Sequence, residues 1–377
     1  MSNLPPLSLY IHIPWCEKKC PYCDFNSHVQ QAIPEQDYVH KLIEDLKHQL
    51  HLVKGRKLLS LFFGGGTPSL FKPESIAKII NAAEHYIGFD DDIEITLEAN
   101  PSSSEYKKFK ALKSTGVNRL SIGVQSFNNK SLKALGRLHD QNDAINAIKE
   151  AQNAGFDQLN IDLMHSLPKQ NQASALKDLQ IAMQFNVPHI SWYELTIEPN
   201  TVFYNSPPKL PDESCLNTIF ENGFNHLLLN QYQQYEVSAF CLEQNYAKHN
   251  LNYWQFGDYL AIGAGAHGKA TNENEIWRFY HTRSPKDYLN QVNFQQQKLM
   301  KISPSEALFE ALLNGLRLKE GLQTNNLLAF SHSTYEALTQ LIQAKLTDEL
   351  ISVNKEYVRT THKGYQYLNS LLVKLMA

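Results

Sequence analysis

Residues 8–25 read SLYIHIPWCEKKCPYCDF, an apolar, β-branched run that breaks directly into Cys16, Cys20 and Cys23. Only Cys215 and Cys241 occur elsewhere in the chain. Four thiolates close a tetrahedral zinc site or hold an iron–sulfur cluster with protein ligands alone. Three leave one position open, and an open metal position is where a non-protein ligand can bind. Pro21 suits a loop that wraps such a group rather than a strand that continues.

Downstream, the same kind of strand recurs. SLYIHIPW precedes an amphipathic helix, DYVHKLIEDLKHQLHLV, with apolar residues at three- and four-residue spacing. KLLSLFFGGG is followed by PESIAKIINAAEHYIG, which Gly88 closes. DIEITLEAN then SEYKKFKALKSTG, RLSIGVQSF then QNDAINAIKEAQNAG, and QLNIDLMHSLP then ASALKDLQIAMQF repeat the pattern up to HISWYELTIEP. A further helix is expected over DESCLNTIFENGFNHLLLNQYQQY. The alternation predicts an α/β fold with a parallel sheet and right-handed crossovers. Six units fall short of an eight-stranded barrel, so an open, partial (βα)6 barrel is expected, with a doubly wound sheet as the alternative. From about residue 290 the pattern becomes helical, in PSEALFEALLNGLRLKEGL, STYEALTQLIQAKL and YQYLNSLLVKLM, with LISVNKEYVRTT as a hairpin. Two units are expected: residues 1–290, and a small α-rich, winged-helix-like domain over residues 291–377.

The 377 residues carry a formal net charge of −3, so no basic footprint points to nucleic acid. No apolar run approaches the ~20 residues of a membrane-spanning helix, and MSNLPPLSLY has no charged and apolar signal regions. Clustered cysteines at unequal spacing do not describe a disulfide framework. A reduced, cytoplasmic protein is expected.

Parallel βα folds bind ligands beyond the carboxyl ends of their strands. Reading each strand to that end gives the three cysteines, then Gly64, Gly65, Gly66 and Thr67, then Glu98, Gln125 and Asp162, with Arg137 in the connection after the fourth strand. Each has a plain alternative: glycines for packing or positive φ, the polar residues for caps and turns, Arg137 for a surface ion pair. Together they collect on one rim beside the thiols. Zinc would need a fourth ligand such as His12 or His28; a [4Fe–4S] cube held by three cysteines would keep one iron for an exogenous ligand.

The spacing CxxxCxxC after the first strand resembles the radical S-adenosylmethionine (SAM) superfamily. LYIHIPWCEKKCPYCDF, FFGGGTPSL, EANP, SIGVQSF, LGRLHD and NIDLMHSLP stand in the order found in the branch of oxygen-independent coproporphyrinogen III oxidase. That resemblance implies a [4Fe–4S] cluster on Cys16, Cys20 and Cys23. It implies a SAM pocket of Tyr10, Gly65, Gly66, Thr67, Glu98, Gln125, Arg137 and Asp162, and an electron donor for the cluster. The oxidases have CxxxCxxCxC and a segment ahead of the first strand; here Phe25 takes the fourth cysteine's place and the strand begins by about Ser8. Both features are similar to the HemW group, regarded as haem chaperones. So is the HNxxYW element His249, Asn250, Tyr253 and Trp254, which the resemblance associates with haem. By spacing alone these residues read as a turn, from His249 and Asn250, with Tyr253 and Trp254 as core aromatics. His267, in GAHG, is a rival iron ligand or a packed loop residue.

The resemblance implies a protein that binds cluster, SAM and haem and passes haem to an acceptor, with peripheral membrane association compatible with that role. The enzymatic alternative is oxidative decarboxylation of coproporphyrinogen III; the others are a plain electron-transfer protein and a structural zinc protein.

Overall fold

A computed structural model describes residues 4–272, 275–292, 294, 299–332, 334–345 and 349–376. The six expected strands form and are parallel: β1 Leu7–Ile13, β2 Leu58–Gly65, β3 Phe89–Ala99, β4 Arg119–Gln125, β5 Gln158–His165 and β6 His189–Glu194. Period-two alternation sorts their side chains. On β1, Leu7, Leu9, Ile11 and Ile13 are buried beneath the helices. Ser8, Tyr10 and His12 face the other way, as do Glu98, Ser121, Asp162 and Tyr193 on the strands that follow. The inside of the curved sheet is therefore polar, and it leads to the carboxyl ends.

The crossover helices carry local signals. Helix α1, Glu35–Gln49, buries Tyr38, Val39, Leu42 and Leu46 along one stripe. Helix α2, Pro73–Tyr86, starts on a proline and is followed by Gly88 at φ +89, as a helix stop requires. Helices α3, Gln141–Asn153, and α4, Gln172–Met183, each begin with a reciprocal capping box, Asp140 with Asp143 and Asn171 with Ser174.

Two expected helices come out differently. SEYKKFKALKSTG is two short helices, Ser103–Tyr106 and Phe109–Lys113, because Glu105 turns inward and spends its carboxylate on Ser69 and the Asn100 N–H. The helix expected to run to Tyr235 is α5, Glu213–Leu229; Gln231 at φ +69 ends it, and Gln233–Gln234 is a strand.

The sheet also extends beyond the six strands, which local periodicity did not reveal. On one edge β7, Ala239–Cys241, runs antiparallel to β6. On the other, β8, Asp258–Ile262, lies parallel to β1, pairing Leu7 with Asp258 and Ile11 with Ile262. The antiparallel strands β9, His267–Asn272, and β10, Glu275–Tyr280, follow it. Helix α6, Lys248–Trp254, precedes β8 and sits under the amino ends of the strands.

A second apolar core gathers Ala311, Leu312, Leu327, Ile342, Val358 and Leu371 from the C-terminal helices and a three-stranded sheet, and Phe256 and Ile276 join it. The expected hairpin is Ile351–Val353 with Tyr357–Thr360. The helix Thr324–Ser331 was not expected. Ser333 and Leu346, at the ends of the expected STYEALTQLIQAKL helix, lie outside the described residues. No helix among the described residues is long and apolar enough to cross a membrane.

Candidate functional site

After β1 the chain makes a short bridge, Trp15–Cys16 with His28–Val29, and the cysteine loop lies between. The Cys23 N–H donates to the Cys20 carbonyl (3.1 Å), and Lys19 Nζ donates to the Phe25 carbonyl (3.0 Å), which folds the loop back on itself. Asn26 anchors its exit: Nδ2 donates to the Ala264 and Arg283 carbonyls, both at 2.9 Å. His12 Nε2 lies 2.9 Å from the Asn26 carbonyl and its Nδ1 2.9 Å from the Tyr10 hydroxyl. His12 thus has both ring nitrogens occupied.

The loop covers a cavity of about 500 Å³ at the carboxyl ends of the strands. Cys16, Cys20 and Cys23 line it, together with Gly65, Gly66, Thr67, Glu98, Gln125, Arg137 and Asp162. Sequence-distant residues from five strand ends therefore meet where they were expected. Tyr10 is the exception. It lies beneath the cavity against the Phe62 ring, and its hydroxyl is spent on His12.

The glycine run has a packing reason. Gly65 takes φ +110, and a Cβ on Gly66 would fall 2.5 Å from the Trp15 carbonyl oxygen. The Gly66 and Thr67 N–H groups donate to the Ile13 and Trp15 carbonyls (2.8 Å each), so only glycine lets the two strand ends continue side by side. Thr67 Oγ1 is then 3.4 Å from Cys16 Sγ, which accepts from it. Arg137 reaches in from the connection after β4. Its Nη1 points at Cys20 Sγ (3.7 Å), and Nη2 donates to Asn100 Oδ1 (2.6 Å) and the Gly123 carbonyl (2.7 Å). Its Nε is buried without a partner among the described residues. Gln125 sits at φ +66, where the β4–β5 register breaks, and accepts from the Tyr193 hydroxyl (2.6 Å).

Burial, and then the Asp162 charge, push the Glu98 carboxyl up to about 8, although the Gly65 N–H donates to it. Burial raises Asp162 too, against hydrogen bonds from Asn160 and Ser121. Two carboxyls raised by burial on one wall, which a cation would draw into their charged form, and a guanidinium beside the thiols suit a ligand bearing both a cation and a carboxylate. Asn100, Ser121, Tyr193 and Glu194 also line this chamber and were not singled out in the sequence. Asn100 stands inside the quoted EANP, and Tyr193 follows Ser191 on the inward-facing alternation of β6.

Among the described residues no three His, Cys, Asp or Glu side chains converge tightly enough for a single metal ion. A cube instead takes each thiolate on a separate iron, so three spaced sulfurs with donors at Cys16 and Cys20 fit it. His12 has no nitrogen left for zinc.

The HNxxYW residues lie apart from the thiols. His249 is 1% exposed in α6, under the strands, on the opposite side of the sheet interior from the thiols. Its Nδ1 is 2.9 Å from Ser60 Oγ and its Nε2 2.7 Å from the Tyr253 hydroxyl, and it stacks on Phe62 at 4.8 Å. Burial holds its imidazole down to about 3, hence neutral. With both nitrogens engaged it presents none to iron. Asn250 and Trp254 are half-buried, and the Arg317 guanidinium lies over the Trp254 ring at 4.4 Å. As folded, the motif is the floor of the barrel. His267, by contrast, is exposed at the start of β9.

Residues 10–181 match the family model of the radical SAM superfamily, and residues 302–367 that of the HemN C-terminal domain. The heme chaperone HemW of Haemophilus influenzae is 48% identical over 99% of this chain and 98% of its own length. The heme chaperone HemW of Escherichia coli is 42% identical over 100% of both. The solved structure of Escherichia coli coproporphyrinogen III oxidase, HemN, described as a radical SAM enzyme, superposes with a TM-score of 0.82. It covers 99% of this chain and 90% of that one at 23% identity, which establishes a shared fold.

Proposed function

The chain belongs to the HemW family of the radical SAM superfamily, and on that premise we propose that it is a haem chaperone: it binds haem and hands it to an acceptor protein. Cys16, Cys20 and Cys23 would hold a [4Fe–4S] cluster, which supplies one-electron chemistry when bound. Burial keeps the Cys16 and Cys23 thiols above their ordinary range, so the charge of bound iron is what makes them thiolates. Thr67 and Arg137 steady two of the sulfurs. Glu98 and Asp162 receive the cationic part of SAM and Arg137 its carboxylate, while Gln125, fixed by Tyr193, shapes the wall between them. An electron donor, a cytoplasmic location and peripheral contact with a membrane complete the reading.

The observation that carries it is the full-length likeness to heme chaperones combined with Phe25, 58% exposed, where the oxidases resembled by the sequence have another cysteine. The test loads the anaerobically reconstituted protein with haem and mixes it with an apo-haemoprotein. Transfer of the Soret band to the acceptor, with no turnover of coproporphyrinogen III in the presence of SAM and reductant, is the expected result. Steady formation of protoporphyrinogen IX would overturn it.

A further inference from the structure

A haem held through histidine needs an imidazole with a free nitrogen, and it is favoured by an aromatic or apolar surface for the macrocycle and a cation for its propionates. Among the described residues the β9–β10 hairpin brings these three together. His267 opens β9, is exposed, and neither of its ring nitrogens has a hydrogen-bond partner among the described residues. Tyr280, directly opposite in the register, is half exposed, and its ring stacks on the imidazole at 5.7 Å. Arg283, just beyond the strand, is exposed, and its charge acts on His267. The cysteine loop borders this hairpin, because Asn26 is bonded to the Ala264 and Arg283 carbonyls and the His28 ring lies 3.3 Å from the latter. Phe25 and Val29, the chain neighbours of Asn26 and His28 at that contact, are about 60% exposed.

We infer that His267 is the axial ligand of the haem iron, with Tyr280 against the macrocycle and Arg283 on a propionate. The inference rests on the haem-chaperone reading and moves the iron from the HNxxYW helix to an open strand edge. Partial burial, then the charges of Arg278, His281 and Arg283, hold the His267 imidazole below its ordinary range, which favours the uncharged form that can bind a metal. A haem held at an exposed edge is also one that an acceptor can approach.

The test is an anaerobic titration of the cluster-reconstituted full chain with haemin, read by Soret absorbance and by electron paramagnetic resonance. Wild type is expected to saturate near one haem per chain. His267→Ala is expected to weaken binding about tenfold or more and to shift the Soret band, with added imidazole restoring the band position. Arg283→Glu weakens binding without moving the band. His249→Gln, which keeps a hydrogen-bonding group toward Ser60, leaves the band where it was. Unchanged affinity and spectrum in His267→Ala, or a Soret shift confined to His249→Gln, overturns the assignment. Absence of saturable binding in the wild type overturns the haem reading itself, which is a separate outcome.

Discussion

Cys20 turns the loop through its carbonyl, and its sulfur faces the Arg137 guanidinium. Cys20→Ser is expected to abolish most of the iron content after anaerobic reconstitution while the far-ultraviolet circular dichroism stays native. Full [4Fe–4S] absorbance in that variant would remove Cys20 from the ligand set. Glu98 offers a second test. Its carboxyl titrates near 8 in the ligand-free protein, well above an ordinary glutamate. The folded protein therefore binds a proton there that the unfolded chain has lost, and the cost of Glu98 to stability grows as pH rises through that window. A bound ammonium or sulfonium draws the carboxyl down, so SAM binding releases a proton below pH 8. Affinity should climb up to about tenfold per pH unit below that point, and Glu98→Gln should flatten the profile. Calorimetry in buffers of different ionisation enthalpy measures the proton directly; pH-independent binding without proton release would contradict the assignment. These residues were legible in the sequence because each ends a strand. Tyr10 came only from the family resemblance: it lies three residues short of its strand's end, and its hydroxyl turns to His12.

At the scale of elements, the glycine run carries the strongest constraint. Gly66→Ala places a methyl group against the Trp15 backbone, and backbone cannot yield as a side chain can. The expected result is a loss of about 1–3 kcal/mol, seen as a lower Tm by calorimetry, together with poorer iron loading because the cysteine loop starts at that contact. An unchanged Tm with full loading would show that the strand ends have room to part. Periodicity located all six barrel strands, since each carries its own alternation. It failed over residues 103–113, where the inward turn of Glu105 outweighs helical propensity, and at Gln231, whose left-handed backbone stops α5 with no glycine to announce it. His249 lay beyond such reasoning altogether: nothing local says that its imidazole is wedged between Ser60 of one strand and Tyr253 of its own helix.

For the whole molecule, the decisive pairing joins β8 to β1 across some 250 residues of sequence. Asp258 at the start of β8 is buried with Lys269 (2.8 Å) and Arg56 (2.7 Å), which ties the extension to the barrel. Burial pushes the Asp258 carboxyl up, but the two cations outweigh it and hold the carboxyl below its ordinary value. Its contribution is present above the unfolded value and lost as pH falls through the lower folded one. Lys269→Met, which leaves Arg56 as the only partner cation among the described residues, is expected to cost about 3–5 kcal/mol and to move the acid-unfolding midpoint upward. An unmoved midpoint would show that Arg56 alone suffices. No local pattern could have announced this arrangement, because DYLAI reads like any short apolar strand and its neighbour is decided only in three dimensions.

That long-range pairing also sets a timetable for synthesis. While the chain is being made, β1 emerges first and gains β2 on one side, but its other edge stays open until β8 has left the ribosome. An unpaired edge strand recruits other strands, and contacts of such separation form late. The loop that follows β1 cannot settle before then, since Asn26 waits for Ala264 and Arg283. Nascent chains halted before residue 258 are thus expected to be aggregation-prone and unable to retain iron, and metal delivery belongs after translation has passed the hairpin.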